Sequence, residues 1–94
     1  MQVKWLVTAL RNLDDEIAYI AQDDVIAARA VLARVLTAVA QLAAQPALGR
    51  PGRVPGTREL VVSNTRFLLP YRVRGDVVEI LRVFHTARRP PARW

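Results

Sequence analysis

The stretch of sequence that decides the fold runs from Thr57 to His85 and reads TRELVVSNTRFLLPYRVRGDVVEILRVFH. Three runs rich in Val, Ile, Leu, Phe and Tyr are separated by the clusters Ser63-Asn64-Thr65 and Arg74-Gly75-Asp76. Short apolar runs bounded by turn-forming residues are typical of consecutive β-hairpins. The stretch therefore predicts an antiparallel β-meander over residues 57–85.

The middle run has two different faces, because successive side chains of a strand point to opposite sides of the sheet. One face is apolar and is predicted to cover the core. The other face carries arginines and is predicted to be open, and the third run adds Arg82 and ends at His85, the only histidine. The core face holds Phe67, Leu69, Tyr71 and Val73, and the open face holds Arg66, Leu68, Pro70 and Arg72.

The length and composition limit the class of protein. With 94 residues, the chain is predicted to form a single domain over 1–94, and its 52% hydrophobic content suffices for a core. The chain has no cysteine, which excludes a disulfide scaffold and is compatible with a reducing cytoplasm. The N-terminus lacks the apolar segment of a signal peptide, and Arg29 and Arg34 interrupt the long apolar run, so we expect a cytoplasmic protein with no membrane contact.

The net charge of +6 is unevenly distributed. Residues 1–45 carry four basic and five acidic side chains, whereas residues 46–94 carry ten arginines and three acidic side chains. A half this basic suits nucleic acid or an acidic protein partner. The alternative is that arginine merely replaces lysine on a solvated surface, since the chain has thirteen arginines and one lysine.

The residues before the meander predict a short strand and a helix hairpin that covers one face of the sheet. We place the strand over 1–7 and the hairpin over 8–45, with Thr8 and Asp24 as N-caps. The segment 46–56, PALGRPGRVPG, is predicted to be a loop, and 86–94 a basic tail. The apolar stripes that define the helices are Leu10, Leu13, Ile17, Ile20 and Ala21, then Val25, Ala28, Leu32, Val35, Val39 and Leu42.

Three apolar side chains of the second predicted helix lie off its main stripe, namely Ile26, Val31 and Leu36. They predict either a wider core contact or a patch for another chain.

Few residues offer catalytic chemistry. One histidine without cysteine cannot supply a usual transition-metal site, and Ser63 lacks the context of a hydrolase nucleophile, so we expect no metal and no cofactor. His85 is a candidate general acid or base for phosphodiester transfer, with Arg66, Arg72 or Arg82 stabilising the transition-state charge. The alternative role for His85 is a strand-end residue that hydrogen-bonds the tail.

Short segments spread over nearly the whole chain form a recognisable order. They are Trp5, Tyr19-Ile20-Ala21, Ala27-Ala28, Gly49-Arg50-Pro51-Gly52-Arg53, Gly56-Thr57-Arg58-Glu59-Leu60-Val61, Tyr71-Arg72-Val73, Ile80-Leu81-Arg82-Val83-Phe84-His85, Arg88 and Trp94. With the order of the predicted elements, these segments resemble the RelE/ParE superfamily of bacterial toxins from type II toxin-antitoxin pairs. The resemblance implies an α+β fold in which a helix hairpin packs on one face of a three- to four-stranded, mainly antiparallel sheet.

The resemblance implies a toxin that inhibits growth until a cognate antitoxin neutralises it. RelE-like members cut mRNA on the translating ribosome, whereas ParE-like members poison DNA gyrase and are not nucleases. Leu68 stands where the RelE-like nucleases have a functional arginine, which favours the ParE-like interpretation. His85 matches the strand-end histidine of the YoeB-like nucleases, but ParE-like members often have a histidine there too, so His85 does not distinguish the two. Antitoxins of this superfamily wrap an acidic-leaning segment over the toxin, and we expect a higher-order assembly of the two proteins.

The predicted binding residues follow from this reading. We assign antitoxin contact to Ile26, Val31 and Leu36. A non-enzymatic RNA-binding module is a remote alternative, because it needs stacking aromatics on the open face and Phe67 and Tyr71 point to the core side. Contact with gyrase, or with the ribosome and mRNA, is assigned to Arg50, Arg53, Arg58, Arg88, Arg89 and Trp94.

Overall fold

The computed structural model of the chain describes residues 1–87. Two helices follow a first strand, and a group of short strands follows the helices. The elements are β1 (Gln2–Trp5), α1 (Val7–Asp23), α2 (Val25–Gln41), β2 (Arg50–Pro51), β3 (Arg58–Val61), β4 (Phe67–Arg74), β5 (Val77–Ile80) and β6 (Phe84–His85).

The strands form one mixed sheet in the order β1-β5-β4-β3-β2, with β6 also paired to β4. The antiparallel meander β3-β4-β5 confirms the two predicted hairpins. β1 lies parallel to β5, with Gln2 opposite Val77 and Trp5 opposite Ile80. A parallel pair needs a long crossover connection, and the helix hairpin lies within the connection between these two strands. The predicted α+β class is confirmed.

The core lies between the helix hairpin and one face of the sheet. Phe67, Leu69 and Tyr71 are buried in it, as predicted, but Val73 is exposed. β4 reaches Val73 only after its pairing with β3 has ended at Tyr71. The helices and the sheet bury their apolar side chains together in this cluster: Ala9, Leu13, Val35, Val39, Leu42, Leu60, Val62, Phe67, Leu69, Tyr71, Val78, Ile80 and Val83.

The third run of the meander is interrupted by a β-bulge. Tyr71 lies opposite Ile80, but Leu68 lies opposite Phe84, so the pairing register has stepped by one residue between them. An extra residue on one strand bends that strand and reverses the faces of the side chains that follow. The prediction of one continuous third strand was therefore wrong, and β5 and β6 are its two halves.

The helix ends depart from prediction at two points and agree with it at a third. α1 begins at Val7 and not after Thr8, because the Leu6 N–H still bonds the Ile80 carbonyl of β5 while the Leu6 carbonyl accepts the first helical bond. Asp24 caps α2 as predicted, its Oδ1 accepting from the Ala27 N–H at 2.9 Å. α2 ends at Gln41 and passes into turns, although the apolar stripe continues through Leu42.

Two residues of the predicted apolar stripes lie at the surface. Leu10 and Val25 are exposed, and each occupies the first turn of its helix, at the end of the stripe.

The segment 46–56 is not all loop. Arg50 and Pro51 form the short strand β2 against Glu59 and Arg58, and the Gly52 N–H donates to the Thr57 carbonyl at 2.8 Å. Three prolines and three glycines favour a loop, but β3 offers a free edge, so the segment folds back on it.

The sheet face away from the helices is not uniformly open. Leu68 and Pro70, predicted to be exposed there, are buried, as is Leu81. Arg72 on the same face is half-buried. The prediction of an open arginine face therefore fails at its centre.

Candidate functional site

His85 lies on the helix side of the sheet and not on the face that carries Arg72. It pairs with Phe67 across β6 and β4, and the two rings meet edge to face with centroids 5.7 Å apart. Without the bulge, the register of β4 and β5 would set His85 opposite Arg66. The prediction that His85 terminates the arginine face was wrong because the extra residue moves the imidazole to the other side.

One ring nitrogen of the His85 imidazole accepts a hydrogen bond from the backbone. Nδ1 accepts a hydrogen bond from the Ala87 N–H at 3.1 Å. His85 also lines a cavity of about 450 Å³ at the end of the sheet, together with Arg66, Tyr19 and the nearly buried Glu16. Of the predicted catalytic arginines, Arg66 alone shares this cavity.

Arg72 forms an ion pair with Glu79 and lies far from His85. Its Nε donates to Glu79 Oε1 at 2.7 Å, and Arg74 Nε lies 3.8 Å from the same oxygen. The hydrogen bond from Arg72 lowers the pKa of the Glu79 carboxyl, against the opposing effect of burial, and nearby positive charges, including Lys4, lower it further. Arg72 lies five residues along β4 from Phe67, about 17 Å at strand rise.

Arg82 lies at the bulge. Its Nη1 donates to the Leu81 carbonyl at 2.6 Å. The neighbouring Val83 N–H, which the bulge removes from the strand ladder, donates instead to Asn12 Oδ1 of α1 at 3.2 Å. The four predicted catalytic residues therefore do not converge on one point.

The segment 46–56 is fixed by two residues that sequence reasoning did not select. Glu59 is buried, and its two carboxylate oxygens accept from Arg50 and from the Arg53 N–H. The Tyr71 hydroxyl accepts from the Gly49 N–H at 2.8 Å and donates to the Pro46 carbonyl at 2.8 Å. A lone glutamate beside an arginine-rich loop was the signal in the sequence for the first of these contacts.

Three of the predicted target-binding arginines lie in or beside this segment. Arg50 and Arg53 pair with Glu59 at 3.3 and 3.7 Å, yet their side chains remain 58% and 45% exposed. Arg58 instead donates to the Gly49 carbonyl at 2.8 Å and helps to hold the loop. The positions of Arg88, Arg89 and Trp94 lie outside the described residues.

The three residues assigned to the antitoxin do not form one patch. Ile26 is 80% exposed and Leu36 is 48% exposed, whereas Val31 is partly buried against the core. At roughly 100° per residue, Val31 is turned about 140° from Ile26 and Leu36 about 80° in the opposite direction. Their roles stay predictions, but a single partner surface cannot consist of these three.

The described part of the chain offers no metal centre and one apolar helix of membrane-spanning length. Among residues 1–87, no group of three or more His, Cys, Asp or Glu is placed to hold a metal ion. The segment Val25–Ala43 has a mean hydropathy of 1.7 and could cross a membrane by length and composition alone, a test that the core helix of a soluble protein also passes. In this chain the helix packs against the core along one face, through Val35 and Val39, and most of its other side chains are exposed.

Comparison with known proteins agrees with this architecture. The chain is similar over 90 residues, at 49% identity, to a Sinorhizobium fredii protein named "Putative toxin Y4kP", which covers 96% of this chain and 93% of the relative. A solved structure described as a chromosomal ParDE TA system from P. aeruginosa superposes with a TM-score of 0.80 at 31% identity, covering 90% of this chain and 95% of the other. The family model for the ParE toxin of the type II toxin-antitoxin system, parDE, matches residues 3–90. The chain therefore belongs to the ParE toxin family of type II toxin-antitoxin systems.

Proposed function

We propose that this toxin inhibits growth by binding and poisoning DNA gyrase, without acting as a nuclease. The observation that carries the proposal is the match of the ParE toxin model over residues 3–90. The cognate antitoxin of the pair is the partner that keeps the toxin inactive, and we place both proteins in the cytoplasm.

The arrangement of side chains supports a binding function over phosphodiester cleavage. General acid-base catalysis requires its groups within hydrogen-bond reach of the same substrate atoms. Arg72 is paired with Glu79, Arg82 with a backbone carbonyl, and His85 faces the helix side. Arg66 and His85 share a cavity, but Arg66 is the one arginine or lysine among the described residues that line it.

The segment 46–56 is the part of the described chain best suited to contact the target. Arg50 and Arg53 are held by buried Glu59 and keep much of their side chains in solvent. A binding surface whose side chains are already ordered loses less conformational entropy on association. With Arg88, Arg89 and Trp94 of the tail, these residues form the proposed contact with gyrase.

Two assays on the purified toxin separate gyrase from the ribosome as its target. We expect inhibition of DNA supercoiling, or trapped gyrase-DNA cleavage complexes, at toxin concentrations that leave mRNA intact in a translating extract. His85→Ala should retain this inhibition, since no proton transfer is required of the imidazole. Codon-register mRNA cleavage that His85→Ala abolishes would instead establish the RelE-like nuclease function.

A matched pair of variants tests the binding surface. Arg53→Gln should weaken gyrase inhibition several-fold, while Arg29→Gln, an exposed α2 position, should leave it unchanged. Equal inhibition by the two variants would remove the segment 46–56 from the target contact. Growth unaffected by soluble toxin expressed without antitoxin would contradict toxicity itself.

A further inference from the structure

Tyr71 joins the core of the sheet to the segment 46–56. It lies in the middle of β4, and its side chain is fully buried in the core cluster. Its hydroxyl accepts from the Gly49 N–H and donates to the Pro46 carbonyl, each at 2.8 Å. Because the single hydroxyl proton and a lone pair are both used, the two bonds fix the chain at each end of residues 46–49.

Gly49 fits against Tyr71 only because it has no side chain. A Cβ at this position would lie 2.6 Å from Tyr71 Cε1 and 2.8 Å from the Glu59 carbonyl oxygen. Both distances are too short for a carbon atom, so the close approach of the two residues requires glycine. The Gly49 carbonyl is held as well, since it accepts from Arg58 Nη1 at 2.8 Å. Both backbone groups of Gly49 are therefore fixed to the sheet.

The position of Gly49 sets the start of β2. Arg50 follows directly and bonds one carboxylate oxygen of Glu59, and the Arg53 N–H donates to the other oxygen at 3.1 Å. Tyr71 and Glu59, at 0% and 2% exposure, are both covered by the fold. Neither can contact a target, whereas Arg50 and Arg53 keep much of their side chains in solvent.

We propose that Tyr71 is a positioning residue of the toxin, whose hydroxyl orients Arg50 and Arg53 for the target without touching it. The two hydrogen bonds keep the segment 46–56 in one conformation, so the arginines lose little conformational freedom on binding. Without the hydroxyl, the buried Gly49 N–H loses its acceptor and the segment leaves its place on the sheet. The inference rests on the proposed function, in which this segment contacts gyrase.

Amide hydrogen exchange of the toxin alone tests the structural part of the inference. Tyr71→Phe removes the hydroxyl and keeps the buried ring, and Tyr19→Phe, at a position 64% exposed, is the matched control. We expect the Gly49 N–H to exchange at least about tenfold faster in Tyr71→Phe and at the same rate in Tyr19→Phe. The N–H of Leu69, buried in β4, reports global unfolding. Unchanged exchange at Gly49, or equal acceleration at Gly49 and Leu69, would overturn the inference.

Gyrase inhibition by the wild type, Tyr71→Phe, Arg53→Gln and the double variant tests whether Tyr71 acts through the arginines. Tyr71→Phe should raise the toxin concentration for half inhibition by about five- to tenfold, and Tyr19→Phe should not. Arg53→Gln should weaken inhibition less in the Tyr71→Phe background than in the wild type, because the arginine is already misplaced there. A loss of folded protein would instead multiply the two effects independently, and that result would overturn the inference.

Gly49→Ala breaks the same contact from the segment and leaves the core side chains intact, so it tests the inference even where Tyr71→Phe does not fold. We expect a comparable loss of inhibition, and full inhibition by Gly49→Ala would overturn the inference. A wild-type toxin that does not inhibit gyrase would contradict the proposed function. The same variants would then be compared by growth inhibition at equal soluble expression, where independent effects of Tyr71→Phe and Arg53→Gln would again overturn the inference.

Discussion

At the scale of single residues, two side chains take roles that their position in the sequence does not indicate. Asn12 accepts the backbone N–H that the bulge leaves without a strand partner. Glu59, buried in the sheet, forms ion pairs with two arginines that the sequence analysis assigned to target contact, Arg50 and Arg53. The Asn12 contact joins residues 71 positions apart. The Glu59 contacts span nine and six residues, across the β2–β3 pair. Neither contact follows from the periodicity of one element.

Asn12→Ala should lower the free energy of unfolding by about 1–3 kcal/mol, because the Val83 N–H, in a part-buried site, loses its acceptor. Urea denaturation measures the effect. Asn12→Asp keeps an acceptor oxygen at the same position and serves as the control, with a smaller loss expected. Equal losses in the two variants would show that the hydrogen bond contributes nothing.

At the scale of elements, one capping residue joins the two helices of the hairpin, and cross-strand pairs align the strands of the meander. Asp24 ends one helix and caps the next, which allows α1 and α2 to adjoin with a single residue between them. Across the sheet, Lys4, Glu79 and Arg72 occupy one row of β1, β5 and β4. The acidic member of this row therefore lies between basic side chains of two different strands.

Asp24→Ala should destabilise the protein by about 1 kcal/mol, the usual effect of removing an N-cap oxygen. Asp23→Ala is the control, since Asp23 has the same charge and no capping bond. Thermal unfolding measures the decrease in Tm of each variant relative to the wild type. Equal decreases in Tm would indicate that charge, and not the cap, determines the result.

The pKa shift of Glu79 predicts a pH dependence of stability. Its pKa is lowered on folding, chiefly by the hydrogen bond from Arg72, so folding favours the charged carboxylate. The contribution is fully present above the ordinary value of 4.5 and is lost as the pH falls through the folded pKa. The stability difference between the wild type and Glu79→Gln should therefore shrink between neutral pH and pH values below 4.5. Urea titrations at several pH values would reveal it, and a difference independent of pH would contradict the assignment.

At the scale of the whole molecule, two arginine-bearing surfaces adjoin and share one residue. The loop held by Glu59 exposes Arg50 and Arg53 at one end of the sheet, and Arg34 and Arg50 rim a groove beside β3. Arg50 belongs to both surfaces.

The net charge predicts salt-dependent association with the antitoxin. The association rate constant should fall by roughly tenfold or more between low and high ionic strength, because long-range attraction is screened beyond about 10 Å at 0.1 M salt. The dissociation rate constant should change much less. Stopped-flow measurements over a range of NaCl concentrations provide the test, and a salt-independent association rate would exclude electrostatic steering.

The sequence by itself determined the class of fold and the location of its main elements. The helix hairpin, the two turns of the meander and the core positions Phe67, Leu69 and Tyr71 depend on apolar periodicity and turn residues, which act over a few neighbouring positions. The basic half was equally evident. The family resemblance stated from short segments is confirmed by comparison over nearly the whole chain.

Only the tertiary structure decided the face on which His85 lies and the partners of Arg50, Arg53 and Arg72. One extra residue at the bulge changes the face of every side chain after it, and no local pattern marks that residue. Burial of Glu59 and the short strand β2 likewise depend on segments that meet through the sheet. Periodicity along the sequence specifies which side chains share a face of an element. Strand pairing specifies which other residues lie against that face.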